Sequence, residues 1–278
     1  MKNLIITADD YGAAREVNDA VEHAHRHGIL TAASLMVAAP AAADAVARAK
    51  AIPSLRVGLH LVLVEGRPVL PPASIPDLVD ATGHFRTDMA RAGAAMFFRP
   101  TVRRQLAAEI AAQFEAFRAT GLPLDHVNTH KHFHLHPTIS GAIRKIGRAH
   151  GMRAIRVPLE PRAVLAAAEP HGRAPPAYVT APWARLSRHR LRCAGLLVPD
   201  AVFGLAWSGA MTAPRVRGLI TCLPDGLSEI YLHPATSGGF AGAAPGYRYR
   251  DELAALTAPD VLAAASDPNI RLGGFADF

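Results

Sequence analysis

Short apolar runs alternate with longer amphipathic stretches along most of the chain. The apolar runs predict seven strands: Leu4–Thr7, Ala33–Val37, Val57–Leu63, His126–Thr129, Ala154–Val157, Leu219–Thr221 and Glu229–Leu232. The stretches between them have a helical pattern and predict five helices: Ala14–His27, Ala41–Ala51, Thr101–Thr120, Ile139–His150 and Arg185–Leu197. Strands that alternate with helices are typical of βαβ units, which build a parallel sheet.

The number of these units favours one arrangement of the sheet. Seven units in 278 residues favour a closed (β/α) barrel over an open doubly wound sheet. No Gly-x-Gly-x-x-Gly motif follows the first strand, which argues against a dinucleotide-binding fold. The chain contains neither an internal repeat nor a Gly/Ser-rich linker. We therefore expect an α/β fold of the TIM-like barrel type, formed by a single domain over residues 1–278.

Two segments interrupt the alternation of strands and helices. Arg67–Asp88 and His171–Pro182 are rich in proline and polar residues, and both predict long loops. Long loops of compact α/β domains are often binding loops or lids. Variable surface insertions have a similar composition, so a role as lids stays open.

The composition is that of a globular protein with a large buried core. Hydrophobic residues make up 50% of the chain and charged residues 19%. No apolar run approaches the roughly 20 residues of a membrane-spanning helix, and the first run is too short for a signal peptide. We therefore expect a cytoplasmic protein. The two cysteines, Cys193 and Cys222, lack the spacing of a disulfide framework or a thiolate metal site.

The formal net charge is +7, and most of the positive charge comes from arginine. A basic surface attracts nucleic acids, anionic lipids or acidic partners. The sequence lacks interleaved basic and aromatic residues and any recognised nucleic-acid motif, so no nucleic-acid partner is expected. Peripheral contact with an anionic membrane stays open, as does the formation of an oligomer.

Two adjacent carboxylates, Asp9 and Asp10, follow the first apolar run in the stretch TADDYG. Ionised carboxylates this close repel each other, and burying them is costly unless a cation or a shared proton compensates. Alternatively, the two side chains point to opposite sides of the strand end, and one of them caps the following helix. The polar residues at other strand ends help to decide between these interpretations.

Histidines occur at the ends of three other predicted strands. His60 lies within the run GLHLVL, and His233 follows the last predicted strand. Four more histidines alternate with other residues from His130 to His136. An extended chain would place these four on one face, whereas a helical turn would group His130 with His134. Either geometry concentrates imidazoles, which are the commonest metal ligands near neutral pH.

In a parallel β/α fold the carboxyl ends of the strands meet on one face, where the following loops build active sites. The aspartate pair and the histidines described above all fall on that face. One Asp and two His would bind a divalent cation that neutralises the paired charge, and the second carboxylate would stay free to accept a proton. Such a site suits Zn²⁺ or another first-row metal more naturally than Mg²⁺. A metal that acidifies water, with an adjacent general base, makes hydrolysis of an unreactive carbonyl or phosphoryl bond feasible.

Four motifs resemble, in the same order, the YdjC/ChbG family of carbohydrate deacetylases: TADDYG, GLHLVLVEG, NTHKHFHLHP and EIYLHPA. The C-terminal stretch from Tyr247 to Phe278 also resembles the end of that family, so the resemblance spans essentially the whole chain. It implies a deformed TIM-like (β/α) barrel of the polysaccharide-deacetylase type. It also implies one divalent metal ion, Zn or Mg, and removal of the N-acetyl group from an N-acetylated amino sugar.

The resemblance implies a metal site made of three side chains. Carried over residue by residue, it places metal ligation on Asp10, His60 and His130. The family usually has an Asp before the histidine cluster, whereas this chain has Asn128. That departure leaves the role of position 128 open, but it does not affect ligation by His130.

The resemblance also implies catalytic roles. Asp9 would be the general base that activates the water, and His233 the general acid that protonates the departing amine. Arg156 resembles the arginine that holds the base in the wider polysaccharide-deacetylase group. With these roles, the products would be acetate and a free amino sugar.

The segment FGLAWSGAMT, which begins at Phe203, resembles the hopanoid-associated (HpnK-type) branch of the family, as does EIYLHPAT. This resemblance implies that the substrate is an N-acetylglucosaminyl group carried on a hopanoid lipid. A membrane-borne substrate would give a purpose to the basic surface and to the apolar FGLAW segment.

Two other functions remain alternatives. A metal-dependent phosphoesterase would also use carboxylates and histidines, but it would typically need two metals and a second acidic cluster, which no predicted strand end provides. A non-catalytic barrel that binds glycan or metal would need neither a base nor an acid. Release of acetate from a glucosaminyl substrate distinguishes a deacetylase from both.

Overall fold

A computed structural model describes residues 1–172 and 180–278 of the chain. These ranges contain seven strands: β1 (Lys2–Tyr11), β2 (Ala32–Leu35), β3 (Arg56–Leu61), β4 (Val127–Thr129), β5 (Ala201–Phe203), β6 (Gly226–Leu232) and β7 (Ile270–Leu272). They also contain ten α-helices: α1 (Arg15–His27), α2 (Ala42–Ala51), α3 (Met89–Phe98), α4 (Pro100–Ala119), α5 (Pro137–Ala149), α6 (Arg162–Ala168), α7 (Ala181–Cys193), α8 (Ala213–Thr221), α9 (Tyr249–Thr257) and α10 (Pro259–Ala265). None of the described helices combines the length and the apolar content of a membrane crossing.

The strands form one parallel sheet in the order β4-β3-β2-β1-β6-β5, and β7 pairs with the first residues of β1. Backbone hydrogen bonds continue this sheet from β4 to β5 through residues 154–159. The N–H of Val127 donates to the carbonyl of Ala154 at 3.1 Å, and the N–H of Val202 donates to the carbonyl of Leu159 at 3.1 Å. The circuit of strands is thereby closed, which confirms the predicted deformed TIM-like barrel.

Strand β1 lies in the middle of the sheet, between β2 and β6. Its residues Leu4, Ile5 and Ile6 have no exposed surface, because helices cover the sheet on one side and the barrel interior on the other is filled by side chains. Helix α1 shows the matching pattern, since Val17 and Val21 lie one turn apart and are buried. The apolar run at the start of the sequence therefore forms a strand that is enclosed on both faces.

The predicted helices correspond to α1, α2, α4, α5 and α7, with ends shifted by up to four residues. The predicted strand Ala154–Val157 forms only isolated parallel bridges. The prediction of a strand at Leu219–Thr221 is wrong, because these residues end α8. Both Leu219 and Ile220 are buried there, and a short apolar run has the same pattern in a buried helix as in a buried strand. In the predicted loop His171–Pro182, residues 173–179 lie outside the described residues.

The predicted loop Arg67–Asp88 is attached to α4 by buried side chains. The Glu109 carboxylate has no exposed surface and accepts the N–H of Val69 at 2.9 Å and that of Leu70 at 3.0 Å. One turn later, the Gln113 amide donates to Glu109 at 2.9 Å. Burial raises the pKa of Glu109, while these hydrogen bonds oppose the increase. Helix α4 therefore fixes the start of this loop against the barrel.

We expect Glu109→Gln to weaken this attachment. Both carboxylate oxygens now accept N–H groups, and the NH₂ group of glutamine, which cannot accept, would replace one of them and leave a buried N–H unpaired. The expected loss in the free energy of unfolding is about 1–3 kcal/mol, the cost of a buried group left unpaired. Urea denaturation monitored by circular dichroism measures it. The control is Glu115→Gln on the exposed side of the same helix, where the carboxylate pairs with Arg118 and lies 3.6 Å from His150 Nδ1. Equal stability of the two variants would contradict the attachment.

Candidate metal centre and active site

The first strand ends in a backbone conformation that brings both aspartates to one side. Asp10 has a φ of +61°, in the left-handed region that aspartate tolerates better than most residues. The pairing of β1 with β2 shifts register between Ala8 and Tyr11, so the normal alternation of side chains is interrupted. Asp9 and Asp10 consequently line the same cleft. Neither caps α1, whose N-cap Ala14 has no side-chain hydrogen bond.

Three side chains from different strand ends meet at this point. Asp10 Oδ1 lies 3.3 Å from His60 Nε2 and 3.2 Å from His130 Nδ1. The two ring nitrogens are 3.4 Å apart, so the three atoms form an almost equilateral triangle. Bonds of about 2.0–2.2 Å to a tetrahedral zinc ion separate neighbouring ligand atoms by about 3.3–3.6 Å. The donor set and its spacing therefore fit a small divalent metal ion.

The charge of the triangle also suits a cation. Burial would raise the pKa of Asp10, but His130 and His60 beside it hold the pKa well below its usual range, so the carboxylate is ionised. Burial would lower the pKa of His130, and the Asp10 carboxylate raises it instead. A metal ion could replace the proton that these groups share, because the nitrogen and oxygen lone pairs point toward one another.

The other aspartate is held by a buried arginine. Arg156 Nη1 donates to Asp9 Oδ2 at 2.5 Å, and Nη2 donates to Oδ1 at 2.9 Å. Both side chains are almost entirely buried. Burial would raise the pKa of Asp9, but Arg156, His60 and His233 together lower it well below its usual range. Asp9 is therefore an ionised, oriented carboxylate next to the metal triangle.

Arg156 has a second carboxylate partner, Glu229 on β6. The guanidinium donates to Glu229 Oε1 from Nε at 3.0 Å and from Nη2 at 2.7 Å. The Thr7 hydroxyl donates to the same oxygen at 2.8 Å. The guanidinium carbon also lies 4.4 Å from the centre of the Tyr231 ring, a cation–π distance. Burial would lower the pKa of Arg156, but Asp9 and Glu229 raise it, so the guanidinium is always charged.

His233 follows β6 and also lines the cleft. Its backbone N–H donates to Glu252 Oε2 at 2.5 Å, and its Nδ1 lies 3.9 Å from the same oxygen. Burial raises the pKa of Glu252, and His233 opposes the increase. The Nδ1 atom is buried on the Glu252 side, which leaves Nε2 as the ring nitrogen that faces the cleft.

The remaining histidines of the cluster point in separate directions. Lys131 and His132 have φ values of +56° and +53°, so the chain is neither extended nor a regular helical turn. His132 Nε2 lies 2.8 Å from Tyr231 Oη, and His134 Nδ1 lies 2.7 Å from Thr129 Oγ1. Burial lowers the pKa of His134 to about 3, with a further contribution from Arg156, so this imidazole is neutral. Among these histidines, the metal triangle contains His130 only.

The cleft above the triangle encloses about 790 Å³. The loops that follow β1, β2, β3, β4 and β6 line it, including Arg67 and His84 of the long loop after β3. Its apolar lining includes Met36, Met89 and Phe240. A cleft of this size accommodates a sugar-sized molecule with apolar surface beside it.

The structure brings together all six side chains predicted for the site: Asp9, Asp10, His60, His130, Arg156 and His233. Sequence reasoning assigned no role to Glu229, Tyr231 or Glu252, which support Arg156 and His233. A charged residue in the middle of a buried strand was the available signal for Glu229, because such a carboxylate needs a cationic partner. No comparable signal marks Glu252, which lies in an ordinary amphipathic helix.

Comparisons with known proteins agree with this geometry. Residues 3–267 match the family described as YdjC-like protein. A carbohydrate deacetylase of Geobacillus stearothermophilus is 30% identical over 278 residues, which cover 99% of this chain and 97% of that protein. A carbohydrate deacetylase of Brevibacillus brevis is 29% identical over 277 residues, with 99% and 98% covered.

A solved structure from Enterococcus faecalis V583, a protein with a proposed role in cellobiose-phosphate cleavage, has the same fold. Its TM-score is 0.76 at 23% sequence identity, with 99% of this chain and 98% of that chain covered. The family match extends over almost all of the described barrel, and its four motifs carry the residues at the strand ends. The chain therefore belongs to the family of YdjC-like proteins.

Proposed function

We propose that this protein is a metal-dependent carbohydrate deacetylase that removes the N-acetyl group from an N-acetylglucosamine unit. One observation carries the proposal: three ligand atoms 3.2–3.4 Å apart lie beside a separate carboxylate that an arginine holds in place. The deacetylase relatives support the reaction class. Metal dependence rests on the fit of the donor triangle to a divalent ion.

Asp10, His60 and His130 are the proposed metal ligands. A divalent ion bound there supplies Lewis acidity toward the acetamide carbonyl and lowers the pKa of the attacking water. All three side chains line the cleft that the substrate would enter. Substrate and water can therefore approach from the cleft without displacing a ligand.

Asp9 is the proposed general base. It accepts a proton from the water as the water oxygen attacks the acetamide carbon. Arg156 keeps the carboxylate ionised and fixes its orientation, so little reorganisation is needed when the proton arrives. The lowered pKa of Asp9 makes it a weak base, which is sufficient only for a water that is itself strongly acidified.

His233 is the proposed general acid. An amide nitrogen leaves as an amine only after it gains a proton, and His233 lines the cleft with Nδ1 buried, which leaves Nε2 to face it. The imidazolium donates this proton to the nitrogen as the carbon–nitrogen bond breaks. The products are acetate and the free amino sugar.

A phosphoesterase of the two-metal type fits the chain less well. Among the described residues, one group has ligand atoms close enough to share a metal, and it contains a single carboxylate. Of the other acidic side chains near it on the sheet, Asp9 bonds to Arg156, and Glu229 bonds to Arg156 and Thr7. A second metal would need bridging carboxylates. A non-catalytic barrel would have no need for a base and an acid that line the same cleft.

The proposed substrate is linked to a hopanoid lipid, and the protein contacts an anionic membrane to reach it. The resemblance of FGLAWSGAMT to the hopanoid-associated branch supports the lipid. A surface feature supports the membrane contact. Phe97 and Phe98 end α3 with 42% and 73% of their surface exposed, and the exposed Arg99, Arg103 and Arg104 follow them. Exposed aromatic side chains beside arginines suit a surface of anionic lipids.

The first prediction of this proposal is that each chain binds one divalent metal ion. His60→Ala should lose most of the bound metal, because the triangle then has two ligands. Elemental analysis of the purified protein, and of the protein reloaded with Zn²⁺ after chelation, measures the content. His23→Ala, an exposed histidine of α1, is the control. Full metal occupancy in His60→Ala would refute the site.

The second prediction separates the base from the ligand. Asp9→Asn should retain the metal and lower the rate of acetate release by roughly 10²–10⁴-fold, the contribution of a positioned general base. Acetate is measured after incubation with N-acetylglucosamine oligosaccharides and with a glucosaminyl lipid, and release of phosphate from phosphorylated sugars is measured in parallel. Circular dichroism verifies folding. If Asp9→Asn loses the metal while Asp10→Asn keeps it, the two roles are reversed.

The third prediction concerns the membrane. Wild-type protein should sediment with vesicles that contain 30% anionic lipid, and less with vesicles of neutral lipid alone. The double substitution Phe97→Ser and Phe98→Ser should reduce sedimentation with anionic vesicles several-fold, without changing acetate release from a soluble substrate. Leu272→Ser, at another exposed apolar side chain, is the control. Equal sedimentation of both variants would exclude the Phe97–Phe98 surface as the contact.

A further inference from the structure

The side chain of Asn128 lies between the proposed base and one of the proposed metal ligands. It has no exposed surface. Its Nδ2 donates to Asp9 Oδ1 at 3.1 Å, and its Oδ1 lies 2.7 Å from His60 Nδ1. Among the described residues, no other side chain forms hydrogen bonds to both Asp9 and His60. Asn128 is also the position at which this chain departs from the aspartate that the family resemblance leads one to expect.

The direction of each of these hydrogen bonds follows from the chemistry of Asp9. An ionised carboxylate can only accept, so the NH₂ group of the amide must face Asp9. The amide oxygen then faces His60, and His60 Nδ1 must carry the hydrogen. In a neutral imidazole this leaves the lone pair on Nε2, the atom that belongs to the metal triangle. One amide thus sets the orientation of the base and the tautomer of the ligand.

A second chain of hydrogen bonds, from the other side, gives the same orientation. Asp125 Oδ2 accepts from His126 Nδ1 at 2.9 Å, so His126 Nε2 is an acceptor. The Ser34 hydroxyl, 2.9 Å away, donates to that nitrogen. The Ser34 oxygen is then free to accept the second hydrogen of Asn128 Nδ2 at 2.8 Å. Two independent carboxylates, at opposite ends of the network, therefore require the same amide orientation.

The far end of this network is anchored by the C-terminal segment. The Asp125 carboxylate accepts the N–H groups of Phe275 at 3.2 Å and Ala276 at 2.8 Å. The Phe275 ring stacks on His126 with ring centres 4.4 Å apart. All the polar side chains of the network are buried. A buried network whose donors and acceptors all match is rigid, and an altered member leaves its neighbours unpaired.

We infer that Asn128 is a positioning residue that couples metal binding to base orientation. Its amide accepts from His60 and donates to Asp9 at the same time, which an ionised aspartate cannot do. This inference rests on the proposed function. An aspartate could accept from His60 Nδ1, but it could donate neither to Asp9 nor to Ser34. It would also place a second carboxylate about as close to Asp9 as the amide nitrogen is now, and like charges at this distance repel strongly.

Two substitutions separate the contact of Asn128 with His60 from its contact with Asp9. Asn128→Asp keeps the acceptor for His60 and loses the donor to Asp9, whereas Asn128→Leu, of similar size, loses both. Zn²⁺ affinity of each metal-free protein is measured by calorimetric titration, and kcat and KM are measured by acetate release. Circular dichroism and thermal unfolding of the metal-free proteins verify folding.

Asn128→Leu should bind Zn²⁺ about 10–100-fold more weakly, the usual effect of losing the partner that orients a metal-binding histidine. Asn128→Asp should restore most of the Zn²⁺ affinity and still have a kcat at least about 10-fold lower at similar KM, because only the base is misplaced. Wild-type Zn²⁺ affinity in Asn128→Leu, or equal Zn²⁺ affinities in the two variants, would overturn the inference.

Failure of the inference can be told apart from failure of the proposed function. Wild-type protein that binds no Zn²⁺ refutes the proposed metal site, and the coupling with it. Wild-type protein that binds Zn²⁺ but releases no acetate refutes the reaction alone. In that case the Zn²⁺ titrations of the two variants still decide whether Asn128 orients His60. If wild type does both and the variants show no split, only the inference fails.

Discussion

Arg156 has no exposed surface, and its guanidinium is the positive charge on which the buried acidic groups of the barrel depend. It forms a two-point contact with Asp9 and a further contact with Glu229. Without it, two carboxylates would face each other in a medium that solvates neither, and one of them would become protonated or turn away. The orientation of the Asp9 carboxylate therefore depends on Arg156.

Charge balance also explains why the strand ends converge on a donor triangle. Asp9, Asp10 and Glu229 carry three negative charges, and Arg156 supplies one positive charge, which leaves an excess of two. Surface ion pairs would be compensated by water, but these groups are largely shielded from it. The divalent cation proposed for the triangle would balance the excess. The proposed metal site thus meets the same requirement as the Arg156 ion pairs, which is that buried negative charge be compensated by positive charge.

The sequence predicts those helices and strands that have a clear local pattern, and the polar residues that lie at strand ends. Apolar runs that lead into polar strand ends, such as the one in β1, and long amphipathic helices, such as α4, were predicted correctly, and the parallel arrangement then placed the predicted side chains on one face. The strand predicted at Leu219–Thr221 failed because a short apolar run has the same pattern in a buried helix as in a buried strand. The three-residue strands β5 and β7 were not predicted. The orientation of the Asn128 amide depends on partners 94 and 119 positions away, which no local pattern contains.

The left-handed conformation of Asp10 lets two residues that are adjacent in the chain face the same cleft, and this adjacency limits how the site can change during evolution. Because Asp9 and Asp10 are neighbours in the chain, with Cα atoms about 3.8 Å apart, covalent geometry limits how far the proposed base can move from the proposed metal ligand. Breathing of the loops and substitutions on the cleft wall leave that separation nearly untouched. The surrounding loops can therefore diversify toward new sugars or lipid carriers while the separation of Asp9 and Asp10 stays the same.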